Sequence, residues 1–219
     1  MSWLSARFGK SRQRIGLQLD GNVLSYGLVH FNDEQPRLER LGTAETDSKA
    51  PADSIKRILA KAGLTSGEAH WLLPMDQYRL LTVERPAVPD SEMADAIKWQ
   101  IKEQIDFDVA DTVLDYFAYP EHLPGPSRLY VVVAHRAAIQ QVITISEACG
   151  LQLESIGISE LAIGQLCLPL LNADQNIAYI GESPRGIVLN CFLGDQFAFS
   201  RSLNGIFLPR KSADEEELS

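Results

Sequence analysis

Residues 15–31 read IGLQLDGNVLSYGLVHF, and this stretch decides the fold. Ile15, Leu17 and Leu19 alternate with Gly16, Gln18 and Asp20, the two-residue period of a strand with one buried face. Asp20-Gly21-Asn22 supplies turn chemistry, because glycine and asparagine tolerate positive φ at little steric cost. Val23 to Phe31 reads as the returning strand, so the stretch predicts a hairpin. Arg37 to Ala44 predicts a third antiparallel strand after the Asn32-Asp33 turn.

Downstream of the hairpin the period changes. Pro51 to Ala62 predicts a helix: proline stands at its start, Ile55, Ile58, Leu59 and Ala62 form one stripe, and Gly63 follows as a stop signal. His70–Leu73 and Gln77–Glu84 read as strands around Pro74. A second helix is capped by Asp90 or Ser91, with Glu92 in its first turn, and Met93, Ile97, Ile101 and Ile105 repeat every four residues along its core face. Trp99 lies off that stripe and is either a partner anchor or partly buried against a neighbouring subdomain, the second being the expectation. Thr112–Tyr119 alternates like a strand, and Leu129–Ala134 is the apolar, β-rich run of a central strand. Then come a helix ending at Gly150 with Ile139, Val142, Ile143 and Ile145 near its inner face, and a strand, Leu153–Ile158. A helix from Ser159 to Leu170 broken by Pro169 follows, then strands Ile177–Ile180, Gly186–Leu193 and Gln196–Leu203, the last two joined at Gly194-Asp195. There is no internal repeat, and the order gives an α/β chain with mixed sheets.

The totals restrict the function classes. The 219 residues are ample for a buried core, and 45% apolar with 22% charged residues is ordinary for a globular protein. No run approaches a membrane span and the N-terminus lacks a signal-peptide core, so the expectation is a cytoplasmic protein. A net charge of −9 argues against a nucleic-acid partner. Cys149, Cys167 and Cys191 form no CxxC pair and are expected to be buried, reduced thiols. His30, His70, His122 and His135 are scattered without metal-ligand spacing, so no metal site is expected. Asp106, Asp108, Asp111 and Asp115 form a local acidic patch, read as a solvated turn rather than acid/base machinery. No GxSxG, Walker lysine loop or GxGxxG is present.

Three stretches together resemble the PilM-like, actin-fold components of type IV pilus machines. The first is Gly16-Leu17-Gln18-Leu19-Asp20-Gly21-Asn22-Val23, where the family has a strand-turn-strand. The second and sharpest is AIKWQIKEQIDFD from Ala96 to Asp108, running on to Val113-Leu114-Asp115-Tyr116. The third is LYVVVAHRAAIQQVITISEACGL, Leu129 to Leu151. The matches cover about residues 14–205, and the cytoplasmic domain of the type II secretion protein GspL is a neighbouring resemblance. The resemblance implies an actin-like (ribonuclease H-like) mixed sheet with helices, an inserted α+β subdomain and a truncated second domain. The organisation it implies is a basic amphipathic or disordered N-terminus (1–13) and a first actin-like part (14–74). The inserted subdomain (75–150), a return to the core with the start of a second domain (151–205), and an acidic tail (206–219) complete it.

The resemblance also locates a nucleotide site, and the residues there are degenerate. A Mg²⁺-nucleotide needs carboxylate ligands and glycine turns whose N–H groups approach phosphate. Gln18 stands where the family has its first aspartate, and Asp20, two residues on, shares its face beside Gly21. In the second phosphate hairpin Tyr179 replaces aspartate, Gly181 remains, Glu182 is set to repel a phosphate, and Pro184 has no N–H. The expectation is therefore a scaffold rather than an enzyme, with no cofactor; an ATP-binding switch built on Asp20, Gly21 and Gly181 is the competing reading. A GspL-like adaptor that recruits a secretion ATPase is a third.

The implied partner is the cytoplasmic peptide of a bitopic, PilN-like inner-membrane protein, with an assembly ATPase as a further partner. The groove between the N-terminal sheet and the inserted subdomain is its expected seat, and the implied location is cytoplasmic, at the inner membrane through partners. Trp3, Leu4 and Phe8 can share one helical face among Arg7, Lys10, Arg12 and Arg14, the pattern of a membrane-surface helix, against which stands a frayed terminus.

Overall fold

A computed structural model describes residues 13–32, 35–120, 123, 125–168, 175–183 and 186–207. Two compact units are present, one of residues 1–118 with 126–159 and one of 119–125 with 160–219.

The first unit contains, in chain order, β1 (Gln13–Asp20), β2 (Val23–Asn32), β3 (Gln35–Glu45), α1 (Pro51–Lys61), β4 (Glu68–Leu72) and β5 (Tyr78–Glu84). It continues with α2 (Met93–Ile101), a 3-10 turn at Val109–Asp111, β6 (Thr112–Ala118), β7 (Arg128–His135), α3 (Arg136–Cys149) and β8 (Gln152–Gly157). Five strands form a mixed sheet in the order β3-β2-β1-β4-β8. The hairpin holds as read: β1 pairs antiparallel with β2 from Gln13↔His30 to Asp20↔Val23 around the two-residue turn Gly21-Asn22. β4 lies parallel to β1 on the other side, and β8 parallel to β4.

One face of this sheet carries the core. Ile15, Leu24, Trp71, Ile55, Leu59, Leu64 and Ile145 are all buried to within 2% of full enclosure. The Trp71 indole N–H on β4 donates to Ser146 Oγ on α3 at 2.9 Å, satisfying the one polar atom that such a ring brings inside. α1 and α3 pack against each other, and α3 ends where Gly150 turns left-handed at φ +70°. Along α3 the buried residues are Ala138, Val142, Ile145, Ser146 and Cys149, with Ile139 and Ile143 only half-buried.

A second, antiparallel sheet of order β5-β7-β6 places β7 at its centre, as its apolar run predicts. Met93, Ile97 and Ile101 of α2 pack on Val83, Leu129, Val131 and Val133. Two details of α2 differ from expectation. Neither Asp90 nor Ser91 caps it: Glu92 holds the cap position without a side-chain bond, while the Asp90 carboxylate accepts from Arg85 at 2.9 Å. The helix also stops at Ile101, where the Gln104 N–H bonds back to the Ile101 carbonyl in a tighter i→i+3 turn. Ile105 therefore reaches the same core from outside the helix. β7 runs into α3 with no intervening residue, His135 ending one and Arg136 starting the other. The junction is braced by the His135 N–H donating to the Gln77 carbonyl at 3.2 Å and Arg136 Nη2 donating to the Thr112 carbonyl at 2.9 Å.

The second unit contains α4 (Ser159–Cys167), β9 (Asn176–Ser183), β10 (Gly186–Leu193) and β11 (Gln196–Asn204). The strands form an antiparallel sheet, β11-β10-β9. Gly164 of α4 lies against the Phe192 ring of β10, so closely that an added Cβ would collide with it. Of the three free thiols only Cys149 is buried; Cys167 and Cys191 are half-buried, which corrects the expectation for those two. Trp3, Leu4, Phe8, His122, Pro169, Pro184 and the acidic residues after 207 lie outside the described residues.

Candidate functional site

The β1–β2 turn is the first candidate. Strand alternation puts Gln18 and Asp20 on the face opposite the core, Gln18 half-buried and Asp20 exposed. Gly21 takes φ +58°, the left-handed conformation that suits glycine, and no other atom lies within 4 Å of where its Cβ would be. The turn is tied down from a distance: the backbone N–H and the hydroxyl of Thr46 both donate to the Asn22 carbonyl, at 2.7 and 2.9 Å. Thr46 gave no signal in the sequence, because it stands 24 residues from its partner. The turn thus offers open backbone and a single carboxylate, with a neutral amide where a metal-bearing site would want a second charge.

The β9–β10 hairpin differs. Tyr179 and Gly181 share a face of β9, and the Tyr179 ring folds over Gly181 so closely that a Cβ there would collide with the phenol. Glu182, expected beside them, is on the opposite face of the strand by alternation and is exposed. At the strand end the Ser183 hydroxyl donates to the Gly186 carbonyl at 3.0 Å, closing the hairpin on itself. Taken separately, each turn offers a Mg²⁺-nucleotide little: the first one carboxylate and one amide, the second a tyrosine-covered glycine with Glu182 on the other face of its strand. Among the described residues no group of three His, Cys, Asp or Glu side chains is placed to hold a metal ion.

Polar and aromatic contacts brace the inserted subdomain near the start of α3. Arg79 Nη2 donates to Asp106 at 3.0 Å, and Phe107 packs on the His135 ring with centroids 4.0 Å apart. Hydrogen bonds from its own backbone and then from Arg79 hold the Asp106 carboxyl below its ordinary pKa. Asp108 accepts from the Ala110 N–H at 2.9 Å and so starts the 3-10 turn. Clefts open in this unit among the described residues. A polar one at the start of β1 is lined by Gln13, His30, Ser66, Glu68 and Gln152. Another, of about 390 Å³, runs between the first turn of α1 and α3 and is lined largely by apolar atoms of Ala50, Pro51, Ala52, Ala137 and Ile145.

Trp99 is 77% exposed, which corrects the expected burial. It stands on the outer side of α2, with the Lys102 ammonium 5.7 Å from its ring centroid. No helix among the described residues is long and apolar enough to cross a membrane.

The mixed sheet with its crossover helices and inserted subdomain is the actin-like fold. No protein-family model matches the sequence, and no curated protein matches it. Solved structures do match. The chain is similar to one from a PilM–PilN type IV pilus biogenesis complex, with a TM-score of 0.69 and 20% identity over 88% of this chain. It is also similar to the cytoplasmic domain of EpsL, an inner-membrane component of the type II secretion system of Vibrio cholerae, with a TM-score of 0.60 and 14% identity over 86% of this chain and 71% of that one. A Bacteroides thetaiotaomicron protein with an actin-like ATPase fold and unknown function aligns with a TM-score of 0.53 and 9% identity, over 89% and 71% of the two chains. The chain spans 62% of the length of the pilus-complex chain.

Proposed function

We propose that this chain is a non-catalytic scaffold of a type IV pilus assembly complex, of the MSHA type and akin to MshI, that docks the cytoplasmic peptide of a bitopic PilN-like inner-membrane protein. The observation that carries the reading is the fold likeness to the pilus-complex chain over 88% of this sequence. The nucleotide positions support the non-catalytic part: Gln18 is neutral, and the Tyr179 ring covers Gly181. The partner would hold the protein at the inner membrane, and Trp3, Leu4 and Phe8 would add a direct contact with the membrane surface. Trp99 would serve as an exposed anchor for a partner. Of the clefts in the first unit, the one between α1 and α3 has the apolar lining that a peptide's side chains need.

The test is calorimetry with two ligands on the purified chain. A synthetic N-terminal peptide of a PilN-like protein is expected to bind, and Ala137→Arg, which fills the apolar cleft from an exposed helix position, is expected to weaken it. Mg²⁺-ATP up to millimolar concentration is expected to give no heat. Micromolar ATP binding would overturn the scaffold reading and restore the switch, with Asp20 as its metal-side group. The EpsL likeness favours one further reading, an adaptor for a secretion ATPase, which retention of such an ATPase in the absence of peptide would support.

A further inference from the structure

β10 reads GIVLNCFL, apolar on both sides of the strand except for Asn190, and such a run belongs to a strand covered on both faces. Among the described residues only one face is covered. Val188, Asn190 and Phe192 point inward and are buried, whereas Ile187, Leu189 and Cys191 point outward and stay half-open. The register extends this outer face across the neighbouring strands. Ala178, Cys191 and Phe199 form one row; Ile180, Leu189 and Arg201 form the next; Glu182, Ile187 and Leu203 form the third. Ile180 is 58% exposed and Phe199 46%. Seven of these nine side chains are apolar, and the two charged ones have opposite signs and stand on opposite outer strands.

We propose that this face is an interface between two copies of the chain, packed sheet on sheet. The charge pattern selects a second copy as the occupant. A two-fold axis along β10 exchanges the outer strands, laying β9 of one copy over β11 of the other. Arg201 then comes over the partner's β9, one row from the partner's Glu182, and the same contact repeats on the other side of the axis. The apolar rows stack between them at the ordinary separation of packed sheets, about 10 Å. Three short strands offer roughly 400 Å² of face per copy from a 4.8 Å strand spacing and a 3.4 Å rise. That area belongs to the small, weak class of interfaces, so the dimer forms in the micromolar to millimolar range rather than permanently. The surface is distinct from the peptide cleft and the proposal stands independently of the scaffold reading.

Sedimentation equilibrium of the full chain over that concentration range tests it. The expected result is a mass that rises from monomer to dimer, and a dissociation constant raised about tenfold or more by Leu189→Lys. Arg201→Glu should weaken the dimer, and adding Glu182→Arg to it should restore association, a rescue that no loss of folding can imitate. A short bismaleimide should link the chain through Cys191 when Cys167 is replaced by serine. A chain that stays monomeric throughout, or a dimer untouched by Leu189→Lys and by the charge exchange, overturns the proposal.

Discussion

The five-stranded sheet and the β9–β11 sheet fill their open faces in opposite ways. On the five-stranded sheet the open face carries Arg14, Gln18, Asp20, Ser25, Thr43, Glu45, Glu68 and His70, with exposed apolar side chains at Leu38 and Leu41 of edge strand β3 and at Val23 beside the hairpin turn. That face suits water. On the β9–β11 sheet the arrangement is inverted. Its outer face is mainly apolar over its three central rows, while the one polar side chain of β10, Asn190, is fully buried on the inner face with neither amide atom hydrogen-bonded among the described residues. Alternation alone makes both sheets amphipathic; which residue types fill the open face tells whether that face ends in solvent or awaits another layer.

The largest effect expected from this contrast lies in the first sheet. Trp71→Ala removes a buried ring and orphans Ser146, and should cost about 3–5 kcal/mol in urea unfolding; a loss below 1 kcal/mol would mean that this core is not the one holding the unit together. In the second sheet the sign reverses. Asn190→Leu replaces a buried amide without partners by a hydrocarbon of similar volume, and should raise stability by about 1–2 kcal/mol at unchanged denaturant slope. Destabilisation instead would show that the amide is satisfied and that the inversion is only apparent. On the open polar face, Leu41→Ser should stay within about 0.5 kcal/mol, since the leucine is 74% exposed, and should leave association unchanged.

The smallest effect concerns pH. His70 gives Nδ1 to a hydrogen bond with Ser155 Oγ at 2.8 Å, while its Nε2 is buried without a partner. Burial first, and the Arg14 charge second, lower its pKa from 6.5. The unfolded chain therefore binds this proton more readily than the folded one. The contribution of neutral His70 is fully present above pH 6.5 and is lost as pH falls through the lower folded value. His70→Gln should flatten the stability profile in that window and leave it unchanged above pH 7; an unchanged slope would assign the titration to another group.

Much of this fold was legible because local pattern and tertiary need agree. Ile15, Leu17 and the Gly21-Asn22 turn specify the hairpin within seventeen residues, and β7 announces itself as central by its unbroken apolar run. What misled was competition for a side chain or a backbone group. Asp90 is a good cap by type, but Arg85 takes its carboxylate. Ile105 keeps the four-residue spacing of α2, yet the i→i+3 bond at Gln104 ends the helix before it. At the candidate nucleotide positions the identities of Gln18 and Tyr179 could be read directly, whereas the fold of the Tyr179 ring over Gly181 depends on a rotamer that no spacing encodes. Periodicity placed Trp99 off the core stripe but was silent on what would cover it.

The direct passage of β7 into α3 has a mechanical meaning. A loop between strand and helix acts as a compliant joint, and here there is none. Load applied to the inserted sheet is carried by the backbone straight into α3, with the bonds of His135 to Gln77 and of Arg136 to Thr112 acting as stays on either side. From α3 it passes to α1 through their packing and to β4 through the Trp71–Ser146 bond. The inserted sheet and the main sheet are therefore built to bear tension as one strut.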